Sequence, residues 1–289
     1  EVGTPDAMAV TMTAELADVF ESKRQGVLYV LNTLRETFPD TPIFLLSLDQ
    51  RFEPLEAAFR HPSDFAAANW LASALFVAER KSSCLLVDVG STTTDIVPIQ
   101  EGCVVTGGRT DTERLIASEL VYTGVVRTNP NTVATRVPIR GRPCPVAAEM
   151  FALMGDVYLL LGLIAPSDYT SPTPDTGPKT AFGAHRRLAR LVCADIETLS
   201  PEEIQYLARY LYEKQIQQVS EAIYQVCSRL PGEDLSLVTA GSGGFLAIRA
   251  GQRLDLPLAS LEISSEALSV LPCLAVAALL EKHLENGMI

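Results

Sequence analysis

The residues with the clearest chemical potential lie between two short apolar runs, at positions 84–87 and 96–99. The interval contains two carboxylates, a glycine and four consecutive hydroxyl residues: Asp88, Asp95, Gly90, Ser91, Thr92, Thr93 and Thr94. A glycine lets the backbone approach a ligand closely, and successive N–H and hydroxyl groups donate to phosphate oxygens. Neighbouring carboxylates suit Mg²⁺. The segment is therefore either a magnesium–phosphate site or a hairpin turn capped by its own aspartates.

A second glycine-bearing loop follows the apolar run 235–239 and consists of Gly241, Ser242, Gly243 and Gly244. The apolar residues after this loop start a predicted helix. Because the first N–H groups of a helix lack partners within the helix, they bind anions readily. We therefore expect these four residues to contact a phosphate group or a nucleotide, although such a loop is weak evidence by itself.

Other charged residues supply further candidates. The basic residues nearest the acidic hairpin in sequence are Arg109, Arg114 and Arg127. A guanidinium clamps a diphosphate through paired hydrogen bonds, and an ordinary surface ion pair is the alternative for each arginine. Asp111 and Glu15 are candidate catalytic carboxylates, with Glu15 alternatively compensating a helix dipole. Asp156 lies in the apolar segment 147–164, which predicts either a buried partner or a place in a site.

The elements that must position these residues form an α/β pattern. Strand-like runs at 7–12 and 42–48 alternate with helical spacing at 16–38 and 62–80, and the acidic hairpin follows them. A capping-box sequence at 200–203, with proline at the first helical position, predicts a long helix over 200–229.

Composition narrows the class of protein. A length of 289 residues suggests about two domains. The formal charge of -12 argues against nucleic-acid and anionic-membrane partners. Six dispersed cysteines and three histidines indicate neither a zinc site nor a disulfide scaffold. No signal peptide or membrane-length apolar run is visible, so a cytoplasmic protein is expected.

Several segments also resemble known proteins. Residues 87–95, VDVGSTTTD, resemble the second phosphate loop of the actin, sugar-kinase and Hsp70-like superfamily, in its hydantoinase and oxoprolinase branch. Residues 239–244, TAGSGG, look like the adenosine motif of that superfamily. A narrower resemblance, to tetrahydromethanopterin-linked one-carbon pathway proteins that include condensing synthases of methanofuran biosynthesis, rests on VTMTAELADVF, AANW, TDTERL, LVYTG and LARLVCAD.

The resemblance implies a two-lobed, actin-like (ribonuclease H-like) α/β fold with a cleft between the lobes. Residues 1–83 would be the remainder of the first lobe, and residues 84–289 the second lobe. The superfamily's first phosphate hairpin, D-x-G-G-x, does not precede Val10, so it is either absent or upstream of this chain. Residues 173–177 also depart from the tighter Thr-x-Asp-Gly turn of the superfamily, which weakens a carry-over to Asp175.

The same resemblance implies a transferase that joins an aminomethylfuran-methyl diphosphate to the phenol of γ-glutamyltyramine and releases pyrophosphate. Mg²⁺ on Asp88 or Asp95 would neutralise the diphosphate, whose oxygens the hydroxyl loop and Arg109 or Arg114 would hold. The base would be one of Asp111, Glu15 and Asp156.

The sequence leaves several functional points open. ATP binding is undecided, and homo-oligomerisation is compatible with the sequence. Two alternatives remain: an ATP-dependent kinase, ligase or ring-opening hydrolase of the same fold, and a non-catalytic partner subunit.

Overall fold

The computed structural model describes residues 5–230 and 234–287, which fold as a mixed α/β protein. The strands are β1 (Met8–Val10), β2 (Ile43–Leu46), β3 (Phe52–Pro54), β4 (Cys84–Val89), β5 (Thr94–Gln100), β6 (Cys103–Val104), β7 (Leu120–Val121), β8 (Arg136–Ile139), β9 (Arg142–Pro145) and β10 (Ser236–Ala240). The helices are α1 (Lys23–Thr37), α2 (Leu55–Arg60), α3 (Asn69–Ala78), α4 (Asp111–Ile116), α5 (Pro130–Val133), α6 (Met154–Leu161), α7 (Ala181–Arg190), α8 (Pro201–Cys227), α9 (Gly244–Gln252), α10 (Ser265–Ser269) and α11 (Leu271–Glu285).

The larger sheet carries the acidic hairpin. Its strands run in the order β10-β4-β5-β6, and β7 pairs with the start of β5. Strand β10 is parallel to β4, while β5 is antiparallel to it, so the hairpin β4–β5 and the loop after β10 meet at one edge. This arrangement brings the two glycine-bearing loops of the sequence together.

Strand β4 is covered on both faces, which explains its nearly continuous apolar sequence. Leu85 and Val87 lie in a hydrophobic cluster with residues of α6, α8 and α9. Cys84 and Leu86 lie in a second cluster with residues of α3 and α11. The alternation follows from the two-residue repeat of a strand, and it leaves Asp88 at the carboxyl end, where the sheet meets the loops.

The smaller sheet has the order β1-β2-β3 and its own core. Val27 and Leu31 of α1 are completely buried beside Leu45 of β2. Helix α1 begins only at Lys23, after Ser22 caps it by accepting from the Gln25 N–H. The helical spacing predicted from residue 16 is therefore wrong over its first part.

The long predicted helix is confirmed as α8. Ser200 caps it, the Glu203 carboxylate completes the capping box, and Pro201 occupies the first turn. The apolar segment 147–164 forms a much shorter helix, α6, which ends at Gly162 in a left-handed conformation with φ 70°.

Helix α3 joins the two parts of the chain. Its Trp70 and Leu71 belong to the same cluster as Leu86 of β4 and Leu271 of α11. The predicted domain boundary between residues 83 and 84 stays a prediction, with a hydrophobic cluster shared across it. Over the described ranges, no helix combines the length and the apolarity that crossing a membrane requires.

Candidate functional site

The predicted hairpin is confirmed, and its two carboxylates face each other. Asp88 of β4 is directly opposite Asp95 of β5 in the strand register. The turn between the strands closes with a hydrogen bond of 2.9 Å from the Gly90 N–H to the Thr93 carbonyl. Side chains at opposed positions of an antiparallel pair lie close together. The hairpin therefore concentrates negative charge at the edge of the sheet.

The turn rests on an underlying segment, residues 123–127, which orients its peptide groups. The Gly90 carbonyl accepts from the Val125 N–H at 3.0 Å, and the Ser91 carbonyl accepts from the N–H groups of Val126 at 3.0 Å and Arg127 at 2.8 Å. Gly124 makes this approach possible, because a Cβ there would lie 2.5 Å from the Thr92 nitrogen.

The carbonyls of the turn therefore face the protein. Among the hydrogen bonds of the described residues, none is donated by the backbone N–H of Ser91, Thr92 or Thr93. Three successive N–H groups without protein acceptors form a concave donor set for an anion. The Ser91 and Thr92 hydroxyls lie 3.4 Å apart beside them and add further donors.

A buried polar network holds the underlying segment in place. The Gln215 amide donates to the Thr123 hydroxyl at 2.8 Å and to the Gly124 carbonyl at 2.9 Å, and it accepts from the Tyr158 hydroxyl at 2.5 Å. The Thr94 hydroxyl donates to the Thr123 carbonyl at 2.7 Å. Thr94 is completely buried and its hydroxyl is bonded in this way, so the structure gives its predicted phosphate contact no support and that contact stays a prediction.

Asp88 is the carboxylate with free acceptor capacity at this edge. No described donor forms a hydrogen bond to it, and Gly241 leaves it room, since a Cβ on Gly241 would lie 2.3 Å from Asp88 Oδ1. Burial, and to a smaller extent the charge of Asp95, raises the pKa of Asp88 from 3.8 to about 7. A carboxyl group with such a pKa beside unpaired N–H groups is a candidate functional residue.

Asp95 has a different environment because it is paired with Arg114. Arg114 Nη1 lies 2.7 Å from Asp95 Oδ1, and Nη2 donates to the Glu119 carbonyl at 3.1 Å. The guanidinium also stacks over the Trp70 ring at 4.0 Å from its centroid. Burial raises the pKa of Asp95, and the Arg114 charge partly offsets that rise. Arg114 is 1% exposed and forms an ion pair, the alternative that the sequence left open, and its predicted contact with a diphosphate stays a prediction.

The second glycine-bearing loop packs against the first, and most of its N–H groups are bonded to protein carbonyls. The Gly241 N–H donates to Leu268, the Gly243 N–H to Val89, and the Gly244 N–H to Gly241. The three glycine N–H groups thus already have protein acceptors, and their predicted phosphate contacts stay a prediction. Ser242 is exposed, so its predicted contact stays a prediction.

The two loops approach each other closely, which explains why glycine occupies these positions. A Cβ on Gly243 would lie 2.4 Å from a methyl group of Val89 and 2.6 Å from one of Val125. Gly241 has φ 78°, the left-handed region that glycine adopts without strain.

The other predicted carboxylates lie next to the hairpin. Asp111 pairs with Lys23 at 2.5 Å, and Glu15 is 3% exposed with one carboxylate oxygen that has no hydrogen-bond partner. Burial raises the pKa of Glu15, whereas Lys23 lowers it. The charge of Asp111 raises the pKa of both Glu15 and Asp95. Asp111 is thus the residue whose charge acts on both the buried Glu15 and the hairpin carboxylate Asp95.

The arginines differ from the predicted arrangement. Arg109 donates to Asp49, on the β2–β3 connection, at 2.6 Å, so its guanidinium is not at the hairpin tip. Arg127 is exposed and adjoins the tip through its backbone bond to Ser91. Proximity in sequence suggested all three arginines equally, and only the backbone path of residues 123–127 singles out Arg127.

Asp156 is not a free base. It is fully buried with Arg187, whose Nη2 lies 2.7 Å from Asp156 Oδ1, and its Oδ2 accepts from the Leu153 N–H at 3.0 Å. Arg187 also pairs with Asp175 at 3.1 Å. Of the two alternatives predicted for Asp156, the buried partner is confirmed, because both of its oxygens bind protein donors in a closed interior.

The hairpin carboxylates suit Mg²⁺, but the protein supplies only part of the ligands that the ion requires. No group of three or more His, Cys, Asp or Glu side chains in the described ranges is placed to hold a metal ion. Mg²⁺ commonly uses one or two carboxylates, with phosphate oxygens and water completing its shell. Asp88, with no hydrogen-bonded donor, fits that role. Asp95 has Arg114 on one oxygen, so it would be a weaker second ligand.

The fold and this edge define a mixed α/β protein whose central hairpin carries two carboxylates beside backbone N–H groups that have no described protein acceptor. The chain belongs to the hydantoinase/oxoprolinase family, whose sequence profile matches residues 6–283. One solved structure that it resembles is an acetone carboxylase in its nucleotide-free form. That likeness has a TM-score of 0.58 at 12% sequence identity, and it covers 88% of this chain and 38% of the carboxylase chain. It shows the fold alone.

Two relatives share a more specific description. The chain is 34% identical, over 97% of its length and 84% of the relative, to the (4-{4-[2-(gamma-L-glutamylamino)ethyl]phenoxymethyl}furan-2-yl)methanamine synthase of Methanocaldococcus jannaschii. It is also 34% identical, over 51% of its length and 66% of the relative, to the protein of the same name from Methanococcus vannielii.

Proposed function

We propose that this protein is a synthase of methanofuran biosynthesis that forms an aryl ether. It joins an aminomethylfuran-methyl diphosphate to the phenol of γ-glutamyltyramine and releases pyrophosphate. The observation that carries this proposal is the 34% identity over 97% of the chain with the M. jannaschii synthase, whose name describes a phenoxymethyl-furan product. That product contains the ether bond that such a reaction makes.

The hairpin tip would receive the diphosphate. The free N–H groups of Ser91, Thr92 and Thr93 would donate to its oxygens, and the exposed Arg127 beside the tip would add a cation. Asp88 would hold Mg²⁺ with help from Asp95, and the bound ion would neutralise the departing diphosphate. The reacting groups would lie in a cleft between the two sheets, in the manner of a two-lobed actin-like fold.

The acceptor phenol fits a small cavity beside Asp111. This cavity has a volume of about 140 Å³ and is lined by apolar residues that include Val27 and Leu48, together with Lys23 and Asp111. Free phenol has a pKa of about 10, so a neighbouring cation and a carboxylate both favour the transfer of its proton. Lys23 would stabilise the phenolate, and Asp111 would accept the proton.

Glu15 would interact electrostatically with Lys23 and Asp111. Its buried carboxylate has one oxygen without a hydrogen-bond partner, and the charges of Lys23 and Asp111 both act on the pKa of Glu15.

The bond changes balance without a further reactant. The exocyclic C–O bond to the diphosphate breaks, its electron pair leaves with pyrophosphate, and the phenol oxygen forms the new C–O bond. The furan ring delocalises positive charge at the exocyclic carbon. The phenolic proton ends on Asp111 and then passes to water.

A pyrophosphate-release assay tests the proposal. The protein is supplied with Mg²⁺, the furan-methyl diphosphate and γ-glutamyltyramine, in parallel with Asp88→Asn and with ATP as the only phosphate donor. Release that requires both organic substrates and is lost in Asp88→Asn supports the ether-forming reaction. Phosphate or ADP from ATP, with no pyrophosphate from the diphosphate, would contradict it and favour an ATP-dependent enzyme of the same fold.

A further inference from the structure

A larger cavity adjoins the one beside Asp111. Its volume is about 590 Å³, within the roughly 300–1,000 Å³ typical of small-molecule sites. The two cavities share Leu48 and Arg109 among their lining residues. The two cavities therefore meet at Leu48 and Arg109.

The large cavity combines an apolar wall with a pair of opposite charges. Trp70, Leu71 and Val104 line the wall, and Arg109 and Asp49 stand at the rim. Arg109 Nη2 and Asp49 Oδ1 are 2.6 Å apart, and their side chains are 58% and 64% exposed. Such an exposed ion pair contributes little to folding stability, so a ligand can open it at little cost.

The other arginine of this cavity is already neutralised. Arg229 lies 2.6 Å from a carboxylate oxygen of the buried Glu119, and the same oxygen accepts from the Gly107 N–H at 2.6 Å. Arg109 and Asp49 are thus the cation and the anion available to a ligand, which matches a zwitterion better than a simple anion.

We propose that the large cavity binds the γ-glutamyl end of the acceptor substrate, with the α-carboxylate on Arg109 and the α-ammonium on Asp49. The inference rests on the proposed function, which supplies an acceptor that has a phenol at one end. A γ-linked glutamyl group keeps its α-carboxylate and α-ammonium free at the other end.

The wall of this cavity leads back to the reacting end. The Trp70 ring carries the Arg114 guanidinium, and Arg114 pairs with Asp95 of the hairpin. Through Trp70 and Arg114, the wall of this cavity is therefore in contact with the Asp95 side of the hairpin. Arg109, expected from the sequence to bind diphosphate, is assigned to the acceptor instead.

Calorimetric binding of γ-glutamyltyramine and of tyramine tests this assignment, because tyramine keeps the phenol and lacks the glutamyl group. The proteins compared are the unchanged chain, Arg109→Gln, Asp49→Asn and the control Arg253→Gln. Arg253, which follows α9, forms a surface pair with Glu213 of α8 whose side chains are 41% and 48% exposed, and it lines neither cavity.

The unchanged protein is expected to bind γ-glutamyltyramine at least about 10-fold more tightly than tyramine. Arg109→Gln should weaken the binding of γ-glutamyltyramine by about 10–100-fold, the range for a lost hydrogen bond to a charged group. The affinity for tyramine should not change. Asp49→Asn should also weaken the binding of γ-glutamyltyramine, and Arg253→Gln should change the affinity for neither ligand.

The assignment would be overturned if the unchanged protein bound both phenols with equal affinity. It would also be overturned if Arg109→Gln lowered the affinity for both phenols by the same factor. Pyrophosphate release with each acceptor is measured on the same samples. Selective binding without ether formation would refute the proposed reaction, whereas ether formation without selective binding would refute only the role of this cavity.

Discussion

The Asp88 carboxylate is expected to destabilise the folded protein above neutral pH, so removing its charge should stabilise the fold. Burial and the neighbouring Asp95 raise the pKa of Asp88 from 3.8 to about 7. The folded state therefore retains a proton that the unfolded chain releases between about pH 4 and pH 7. The contribution of this proton to stability is fully present below pH 4 and is lost as the pH rises through 7.

The size of the effect follows from the pKa difference. A shift of about 3 pKa units at 1.36 kcal/mol per unit gives about 4 kcal/mol at pH 8. Because the side chain keeps partial contact with solvent, we expect Asp88→Asn to gain about 2–4 kcal/mol at pH 8. At pH 4.5, where most of the folded protein carries the proton, the gain should be about 1 kcal/mol or less.

Urea unfolding at the two pH values, in a chelating buffer, measures this difference. Trp70, the single tryptophan, reports on the junction beside the hairpin through its fluorescence. Asp95→Asn is the matched control on the opposing strand and should lose about 3–5 kcal/mol, because Arg114 would remain buried without its partner. The reasoning is refuted if Asp88→Asn is no more stable than the unchanged protein at pH 8, or if its gain is equally large at pH 4.5.

Three further variants test how the site is held. Gly241→Ala should cost several kcal/mol and abolish activity, because its Cβ would meet Asp88 Oδ1 at 2.3 Å; Gly162→Ala, with φ 70° and open space around it, should cost only about 1–2 kcal/mol in a thermal melt. Gln215→Leu should lose about 2–4 kcal/mol of stability, because the Thr123 and Gly124 acceptors lose their donor. It should also weaken pyrophosphate binding measured by calorimetry. Unchanged pyrophosphate affinity would contradict the view that this network positions the hairpin. Asp156→Ala should lose about 3–5 kcal/mol in urea, because the buried Arg187 would keep Asp175, at 3.1 Å, as its charge partner but lose Asp156. The double variant Asp156→Leu with Arg187→Met should recover much of that loss, and no recovery would contradict the view that the loss comes from an uncompensated buried charge.

The hairpin and its carboxylates could be predicted from the sequence because the signals are local. An apolar run, a glycine and hydroxyl residues fix strand, turn and strand within a short stretch, so Asp88 and Asp95 were expected to lie together. The capping box at Ser200 fixes the start of α8 in the same way.

The contacts that could not be predicted from the sequence join residues far apart in the chain. The glycines of the second loop look like phosphate ligands in sequence, but Gly243 is required because Val89 and Val125 approach it. Arg114 and Asp156 look available until the fold supplies their partners, Asp95 and Arg187. Sequence spacing carries no information about such pairings, so the free Asp88 could not be distinguished from the paired carboxylates.

The most direct test of the central claim follows the phenolic oxygen. γ-Glutamyltyramine labelled with ¹⁸O in its hydroxyl group is incubated with the protein, Mg²⁺ and the furan-methyl diphosphate, and the products are analysed by mass spectrometry. The account predicts that the label stays in the aryl ether and that the released pyrophosphate is unlabelled. Label in phosphate or pyrophosphate, or pyrophosphate release without any ether, would contradict direct attack of the phenol on the furan-methyl carbon.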